Sequence, residues 1–201
     1  SGKSTLIKGV AESLEQGGRE VVLTREPGGS RLGRDLRAIL LDPANTDISG
    51  RAELFLYLAD RAQHVHQVIK PALAKGAFVL CDRFADSTVA YQGYGRGLDK
   101  DLLDSLNQAA MAGVLPQATI LLDLAPETGL SRARRRNAES EEAAKEGRFE
   151  DEAMAFHNRI REGYLEMAAR EPERFHVVDA DQTPDKVLEA VLGCISELPG
   201  W

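Results

Sequence analysis

The first residues that could do chemistry are the Gly-Lys-Ser-Thr run at positions 2–5. In a phosphate-binding loop, backbone N–H groups point at phosphate oxygens, the lysine bridges the terminal phosphates, and a serine or threonine hydroxyl helps hold Mg²⁺. Gly2, Lys3, Ser4 and Thr5 supply those groups ahead of an apolar helical pattern. The plainer alternative is an exposed helix start with Ser1 as its N-cap.

The full phosphate-loop pattern also includes an earlier glycine and a preceding strand, both of which would lie ahead of Ser1. The sequence begins without Met. We therefore expect that the first strand and the front of the loop are missing from the chain, and that residues 1–201 otherwise form a single domain.

A second candidate group, Asp82-Arg83, follows the apolar run 77–81. In an open parallel sheet, ligands bind at the edge where the strands end. A carboxylate at that edge can hold metal-bound water while the adjacent arginine reaches a phosphate. For an isolated Asp-Arg pair, an exposed ion pair is the alternative.

The elements that must position these residues alternate along the chain. Apolar runs of strand length occupy residues 20–24, 77–81, 118–124 and 175–178. Helical patterns occupy residues 3–16, 32–40 and 51–75, and Pro71 is expected to kink the last turn of the third pattern. Apolar strands that alternate with helices predict an α/β fold with a parallel sheet covered on both faces.

Composition excludes several classes of protein. The net charge is −7, which argues against general attraction to nucleic acid or to an anionic membrane. No apolar run approaches the roughly 20 residues that span a bilayer. The charge and the lack of such a run therefore predict no nucleic-acid or membrane partner. The two cysteines form no metal-binding or disulfide pattern, which favours a reducing, cytoplasmic location.

Four linked motifs carry a resemblance to a known family. They are TREPGG at 24–29, the aromatic-xxx-Arg pattern at 57–61, PALxxGxxVxxDR at 71–83, and AYQGxxRG at 90–97. In their order and spacing they resemble the bacterial thymidylate kinases, over essentially the whole chain to about Asp181. The resemblance implies a P-loop nucleoside monophosphate kinase-like fold, namely a parallel sheet flanked by helices with a mobile, Arg-rich lid at about 132–150. It also implies transfer of the γ-phosphoryl of ATP to dTMP with Mg²⁺, for dTTP synthesis, by a homodimer.

The resemblance further implies a dTMP site. Tyr57, where the family usually has Phe, would stack on thymine, and Arg61 would bind a base carbonyl. Arg83 and Arg37 would bind the dTMP phosphate. The remaining implied substrate contacts are Thr88 and Gln92 near the base, Tyr91 under the deoxyribose, and Glu26 near the transferred phosphate. Arg96 is assigned equally to a loop-stabilising role or to a substrate contact.

On the donor side, the resemblance implies that Gly2, Lys3, Ser4, Thr5 and Arg132 bind ATP. Ser4 and Asp82 would hold Mg²⁺, and the implied catalytic residues are Lys3, Asp82, Arg136 and Arg148. The basic run 132–136 and the polar segment 137–147 occupy the place of the family's lid, although the segment is longer than in shorter lids of the family. The alternative for the basic run is a solvated helix face.

Two other functions stay open. The same scaffold could phosphorylate another acceptor, such as dUMP or a deoxynucleoside, because a fold does not fix a substrate. The chain could also be a nucleotide-binding fragment without catalysis. For the implied homodimer, the candidate interface is the apolar helix surface around Phe55 and Leu106.

Overall fold

The computed structural model describes residues 2–198, so Ser1 and its alternative role as an N-cap lie outside the described residues. Four strands are present there: β1 (Val21–Arg25), β2 (Phe78–Asp82), β3 (Thr119–Asp123) and β4 (Phe175–Asp179). They form two parallel sheets of two strands, β1-β2 and β3-β4. The predicted parallel arrangement is confirmed, but the strands are divided between two sheets where one was expected.

Two of the strands are only partly covered. All five residues of β2 and all five of β3 are partly buried. Within residues 2–198, β2 pairs with β1 and β3 pairs with β4, and β2 and β3 share no hydrogen-bonded ladder. The expectation of a strand ahead of Ser1 stays a prediction.

The helices flank the sheets. Ten α-helical segments are described within residues 2–198. They are α1 (Lys3–Gln16), α2 (Arg31–Leu41), α3 (Gly50–His64), α4 (Lys70–Ala74), α5 (Ala85–Thr88), α6 (Lys100–Met111), α7 (Pro126–Glu139), α8 (Glu141–Ala144), α9 (Met154–Arg170) and α10 (Pro184–Ser196). Turns of π-helix occupy Val65–Ile69 and Val89–Gly95, and a 3₁₀ turn occupies Arg148–Asp151.

Two apolar clusters hold the layers together. On one face, α1 and α10 pack through residues such as Val10 and Val191 against apolar side chains from all four strands. On the other face, Phe156 and Ile160 of α9 pack with Ala90 and with Phe175 of β4. Because the first cluster touches both sheets, a shared core fixes their relative position.

Local signals explain several helix boundaries. α1 ends at Gly17-Gly18, as predicted, and Gly18 has a φ of +78°, which glycine adopts without strain. Ser30 caps α2 by accepting a 2.9 Å hydrogen bond from the Gly33 N–H. Pro71 was expected to kink the third helix, yet the departure from α geometry lies just before it, in the π turn Val65–Ile69. Because the chain is helical on both sides of this turn, Pro71 lies inside a continuous helix, and the π turn accommodates its missing N–H.

The segment expected to form the lid is partly helical. α7 continues through the basic run as far as Glu139, and the short α8 follows after Ser140. Within the described part of the chain, no helix is both long enough and apolar enough to cross a membrane.

Candidate active site

The N-terminus of α1 is suited to an anion. Gly2 precedes the helix with a φ of +75°, and among the described residues no side chain caps the helix start. The first turn contains no acidic residue, and the side chains of Ser4 and Thr5 are exposed. The helix dipole and exposed hydroxyl groups therefore favour a negatively charged group here.

Lys3 lies within electrostatic range of three other predicted site residues. Its pKa falls from 10.5 to about 8, chiefly because the Arg83 guanidinium is close, with contributions from burial and from Arg136, while Asp82 opposes the shift. The structure thus brings Lys3, Asp82, Arg83 and Arg136 together. The excess positive charge at this point suits a phosphate.

Asp82 ends β2 opposite Arg25 at the carboxyl edge of the sheet. Its Oδ1 atom is buried and, among the residues that the structure describes, has no hydrogen-bond partner. A buried carboxylate oxygen with a vacant lone pair fits a role as ligand to Mg²⁺ or to its water. The described residues contain no cluster of three or more His, Cys, Asp or Glu side chains that could hold a metal alone.

Arg83 has an unusual backbone conformation. Its φ of +74° lies in the left-handed region, which costs a non-glycine residue energy and is frequent at functional sites. Nη2 donates a 2.9 Å hydrogen bond to the Tyr91 hydroxyl, and the guanidinium carbon lies 4.8 Å from the Tyr91 ring centroid. Two predicted substrate residues are therefore in direct contact.

A buried ion pair joins the TREPGG loop to α3. Arg61 donates through Nε to Glu26 at 2.9 Å, and the other Glu26 oxygen lies 2.9 Å from Nδ1 of His64. Arg61 is 1% exposed and Glu26 3% exposed, so both charges are removed from water. Glu26 and Arg61 were both predicted substrate residues, and the structure places them in contact with each other.

Arg61 has further buried partners. Nη1 donates to the Thr88 hydroxyl at 2.9 Å and to Oδ1 of Asn107 at 2.6 Å. Thr88 was predicted, whereas Asn107 on α6 was missed because a lone asparagine in a helix carries no sequence signal. These bonds fix the direction of the buried Arg61 guanidinium.

Glu53, which contacts three of the predicted site residues, is the main residue that the sequence analysis missed. This buried carboxylate accepts hydrogen bonds from Gln92 at 2.8 Å, Arg148 at 2.7 Å and Arg96 at 3.2 and 3.3 Å. Although burial opposes ionisation, these bonds hold the pKa of Glu53 below its usual value. Its position four residues before Tyr57 and eight before Arg61 is a helix-face signal that could have identified it.

The contacts of Glu53 show what three of the predicted residues bind in this structure. Arg96 pairs with Glu53 and with Glu152 at 2.6 Å, which supports its loop-stabilising alternative. Gln92 is buried, and its side-chain amide donates a hydrogen bond to Glu53. Arg148 is buried and bonds to Glu53 and to the Leu40 carbonyl, so in this conformation its guanidinium stabilises the wall of the site.

Tyr57 is partly buried on α3. Burial, reinforced by the negative charge of Glu53, raises its pKa above the usual range, so the hydroxyl stays neutral. The charges of Arg83 and Arg148 and the Tyr91 hydroxyl also act on Tyr57, so Tyr57 lies within electrostatic range of three other predicted site residues.

The remaining predicted arginines are held by acidic partners or carbonyl groups. Arg37 donates to the Pro27 carbonyl at 2.9 Å and to both Glu146 oxygens at 2.7 and 2.6 Å. Arg136 pairs with Glu150 at 2.8 Å and is largely exposed. Arg132 pairs with Asp181 at 2.9 Å and donates to the Ala180 carbonyl at 3.2 Å, beside the loop after β4.

Comparison with known proteins gives one consistent result. The family model for thymidylate kinase matches residues 1–191. A thymidylate kinase of Nitratidesulfovibrio vulgaris is 59% identical over 200 residues, which cover 100% of this chain and 89% of that protein. A thymidylate kinase of Oleidesulfovibrio alaskensis is 57% identical over 198 residues, which cover 98% of this chain and 93% of that protein.

A solved structure agrees in fold. The crystal structure of thymidylate kinase from Ehrlichia chaffeensis superposes with a TM-score of 0.75 at 33% identity, covering 97% of this chain and 92% of that one. The resemblance and fold class predicted from the motifs are thereby confirmed. The chain belongs to the thymidylate kinase family, whose members are nucleoside monophosphate kinases.

Proposed function

We propose that the chain transfers the γ-phosphoryl group of ATP to dTMP, giving dTDP and ADP. The observation that carries the proposal is the position of Arg83 between two groups of residues. On one side its charge acts on Lys3 at the N-terminus of α1, and on the other side it contacts Tyr91. An arginine at that junction can bind the acceptor phosphate next to the donor phosphates.

The donor side is built from the start of α1. Gly2, Lys3, Ser4 and Thr5 hold the ATP phosphates through backbone N–H groups, the ammonium group and hydroxyl groups. Arg132, beside the loop after β4, is the further ATP contact. Lys3 neutralises charge on the oxygens between donor and acceptor, and binding of a phosphate there raises the depressed pKa of Lys3.

Ser4 and Asp82 are the residues that hold Mg²⁺ in this proposal. The free buried Oδ1 atom of Asp82 supports the assignment. When bound, Mg²⁺ supplies charge neutralisation to the phosphate oxygens. Asp82 also accepts the Glu26 N–H through its backbone carbonyl at 3.1 Å, which ties the ends of β1 and β2 together.

The acceptor side lies between α2, α3 and the π turn Val89–Gly95. Arg83 and Arg37 bind the dTMP phosphate, and Tyr91 packs under the deoxyribose. Tyr57 stacks on the base, whose edge faces Arg61 and Thr88. Glu26 and Gln92 act in this structure through Arg61 and Glu53, so we assign them to positioning the acceptor residues.

Closure of the segment 132–150 completes the site in this proposal. Arg136 already lowers the pKa of Lys3 by its charge, which supports its placement near the transferred phosphoryl group. Its guanidinium neutralises charge on that group and helps exclude water. A catalytic role for Arg148 requires its ion pair with Glu53 to open.

The proposal also includes an oligomeric state and a cellular location. Phe55 on α3 is 58% exposed and Leu102 on α6 is 47% exposed, so these two helices carry the surface that we assign to a homodimer. Leu106 instead packs partly buried on the core of α3 and α6. The free thiol groups of Cys81 and Cys194 fit a cytoplasmic location.

The test is a coupled ADP-release assay with ATP and Mg²⁺, in which dTMP, dUMP and thymidine are compared as acceptors at equal concentration. The proposal requires the highest kcat/KM with dTMP. Preference for dUMP or thymidine would establish the related-kinase alternative. Absence of turnover with all three acceptors by a folded protein that binds nucleotide would establish the non-catalytic alternative.

A further inference from the structure

The lid segment places a carboxylate on an arginine assigned to the acceptor phosphate. Arg37 donates through Nε to one Glu146 oxygen at 2.7 Å and through Nη2 to the other at 2.6 Å. This two-point geometry is the one in which a guanidinium binds carboxylate or phosphate. The residues are 109 positions apart, so the contact joins α2 to the segment after α8.

Arg37 is held in place independently of Glu146. Its Nη1 atom donates to the Pro27 carbonyl at 2.9 Å, within the TREPGG loop. The Arg37 Cδ atom also packs against Gly28. A Cβ atom at position 28 would lie 3.0 Å from Arg37 Cδ. The guanidinium therefore stays directed at the loop, and the edge that binds Glu146 is the edge available to a ligand.

The acidic side chain is ionised in this contact. The Arg37 hydrogen bond lowers the pKa of Glu146 below its usual value, and the charges of Arg25 and Arg136 add to the effect. Glu146 is 41% exposed, whereas Arg37 is 18% exposed. Hence the carboxylate can swing into solvent while the arginine remains in the site.

We propose that Glu146 substitutes for the acceptor phosphate on Arg37 in the ligand-free protein and is displaced by dTMP. The proposal rests on the proposed function, which assigns Arg37 to that phosphate. Displacement breaks the contact between α2 and the segment after α8, so the segment that carries Arg136 becomes free to close over bound nucleotide. Glu146 thereby sets the affinity for the acceptor without touching it.

The primary test measures the Kd of dTMP by calorimetry, without ATP, for the wild type, Glu146→Gln and the matched control Glu141→Gln. Glu141 lies on α8 in the same segment and is also exposed. Since a partly exposed ion pair is weak, Glu146→Gln should tighten binding by only about two- to fivefold. Glu141→Gln should change it by much less. Equal Kd values for the wild type and Glu146→Gln would overturn the proposal.

A double variant tests whether the effect passes through Arg37. In an Arg37→Met background, the further change Glu146→Gln should leave the Kd of dTMP unaltered. If the same tightening persisted there, Glu146 would act as a general negative charge and the proposal would be wrong.

Limited proteolysis of the ligand-free protein separates this proposal from the proposed function. Glu146→Gln should be cleaved within residues 137–147 several times faster than the wild type or Glu141→Gln, because the segment has lost its contact with α2. A wild type that binds no dTMP would refute the proposed function, and the cleavage rates would still decide whether Glu146 tethers the segment. Equal cleavage rates would refute the tether.

Discussion

The Arg83 guanidinium lies over the Tyr91 ring, 4.8 Å from its centroid, and donates a 2.9 Å hydrogen bond to the Tyr91 hydroxyl. Because Arg83 has a φ of +74°, its backbone is held in a conformation that a non-glycine residue adopts at a cost. The ring and hydroxyl of Tyr91 together fix the direction of the side chain. Tyr91 is thus a support for the phosphate-binding arginine as well as a predicted wall of the sugar site.

This relationship predicts the effect of Tyr91→Phe. The variant keeps the ring and removes the hydrogen-bond acceptor, whose loss from a charged donor is worth about 1.5–3 kcal/mol. We expect the KM for dTMP to rise about tenfold or more while the KM for ATP changes little. Steady-state kinetics with each substrate varied in turn measures both values.

The matched control is Tyr94→Phe, because the buried Tyr94 hydroxyl has no hydrogen-bond partner among the described residues. That change should leave both KM values unaltered. A Tyr91→Phe enzyme with a wild-type KM for dTMP would show that the ring alone directs Arg83.

The buried pair of Arg61 and Glu26 predicts a large loss of stability on Arg61→Met. The change removes the arginine charge from the buried Glu26 carboxylate, whose other oxygen lies on His64, in a region where Arg61 is 1% exposed. Removal of one partner of a buried ion pair costs about 3–5 kcal/mol. Urea denaturation followed by circular dichroism measures the free energy of unfolding.

For comparison, Arg161→Met removes the pair with Asp123, in which Arg161 is 42% exposed. That loss should be at most about 1 kcal/mol. Comparable losses in the two variants would contradict the claim that burial decides the difference.

Asp60 predicts a pH dependence of stability. Burial raises its pKa from 3.8 to about 6, while the hydrogen bond from the Gly28 N–H opposes the rise. Between about pH 4 and 6 the folded protein therefore binds a proton that the unfolded chain has lost, so Asp60 lowers the free energy of unfolding as the pH rises through this window. Asp60→Asn removes this contribution.

Relative to the wild type, Asp60→Asn should accordingly gain stability as the pH rises from 4 to 7. Urea denaturation at intervals across this range measures the difference. The exposed Asp47 supplies the control, since Asp47→Asn makes the same chemical change at the surface. A constant difference between Asp60→Asn and the wild type would mean that Asp60 ionises as readily in the folded protein as in the unfolded chain.

Local patterns predicted much of the fold. The bounds of α1 match the expected helix, and each expected strand is present within about one residue at either end. These features depend on apolar spacing and on glycine, which the sequence displays directly. The division of the strands into two sheets was not predicted, because pairing depends on which strands approach in space.

The sequence pointed to candidate site residues but not to the contacts between them. The four motifs contain Arg61, Arg83 and Tyr91, yet the ion pair of Arg61 with Glu26 depends on two segments 35 residues apart. The contact of Arg37 with Glu146 spans 109 residues. Such contacts are set by tertiary packing, to which spacing along the chain gives no guide.

The TREPGG loop predicts a requirement for glycine at position 29. A Cβ there would lie 2.4 Å from His64 Nε2 and 2.6 Å from Thr24 Oγ1. The His64 ring has little freedom to move, because it is hydrogen-bonded to Glu26 at 2.9 Å and to Thr24 at 2.6 Å. Gly29→Ala should therefore destabilise the protein by about 1–3 kcal/mol and raise the KM for dTMP, since the displaced ring contacts the carboxylate that holds Arg61.

Gly193 is the matched control, because the same change from glycine to alanine occurs there at a position with room for a Cβ atom. It lies in α10, is exposed, and a Cβ at this position would meet nothing within 4 Å. Gly193→Ala should raise the free energy of unfolding by about 0.5–1 kcal/mol and leave the KM for dTMP unaltered, because alanine favours the helix. Thermal and urea denaturation of both variants measure the pair of effects. A Gly29→Ala variant as stable as the wild type would show that the loop has room to shift away from α3. The ion pair of Glu26 with Arg61 would then not depend on the close approach of Gly29 to His64.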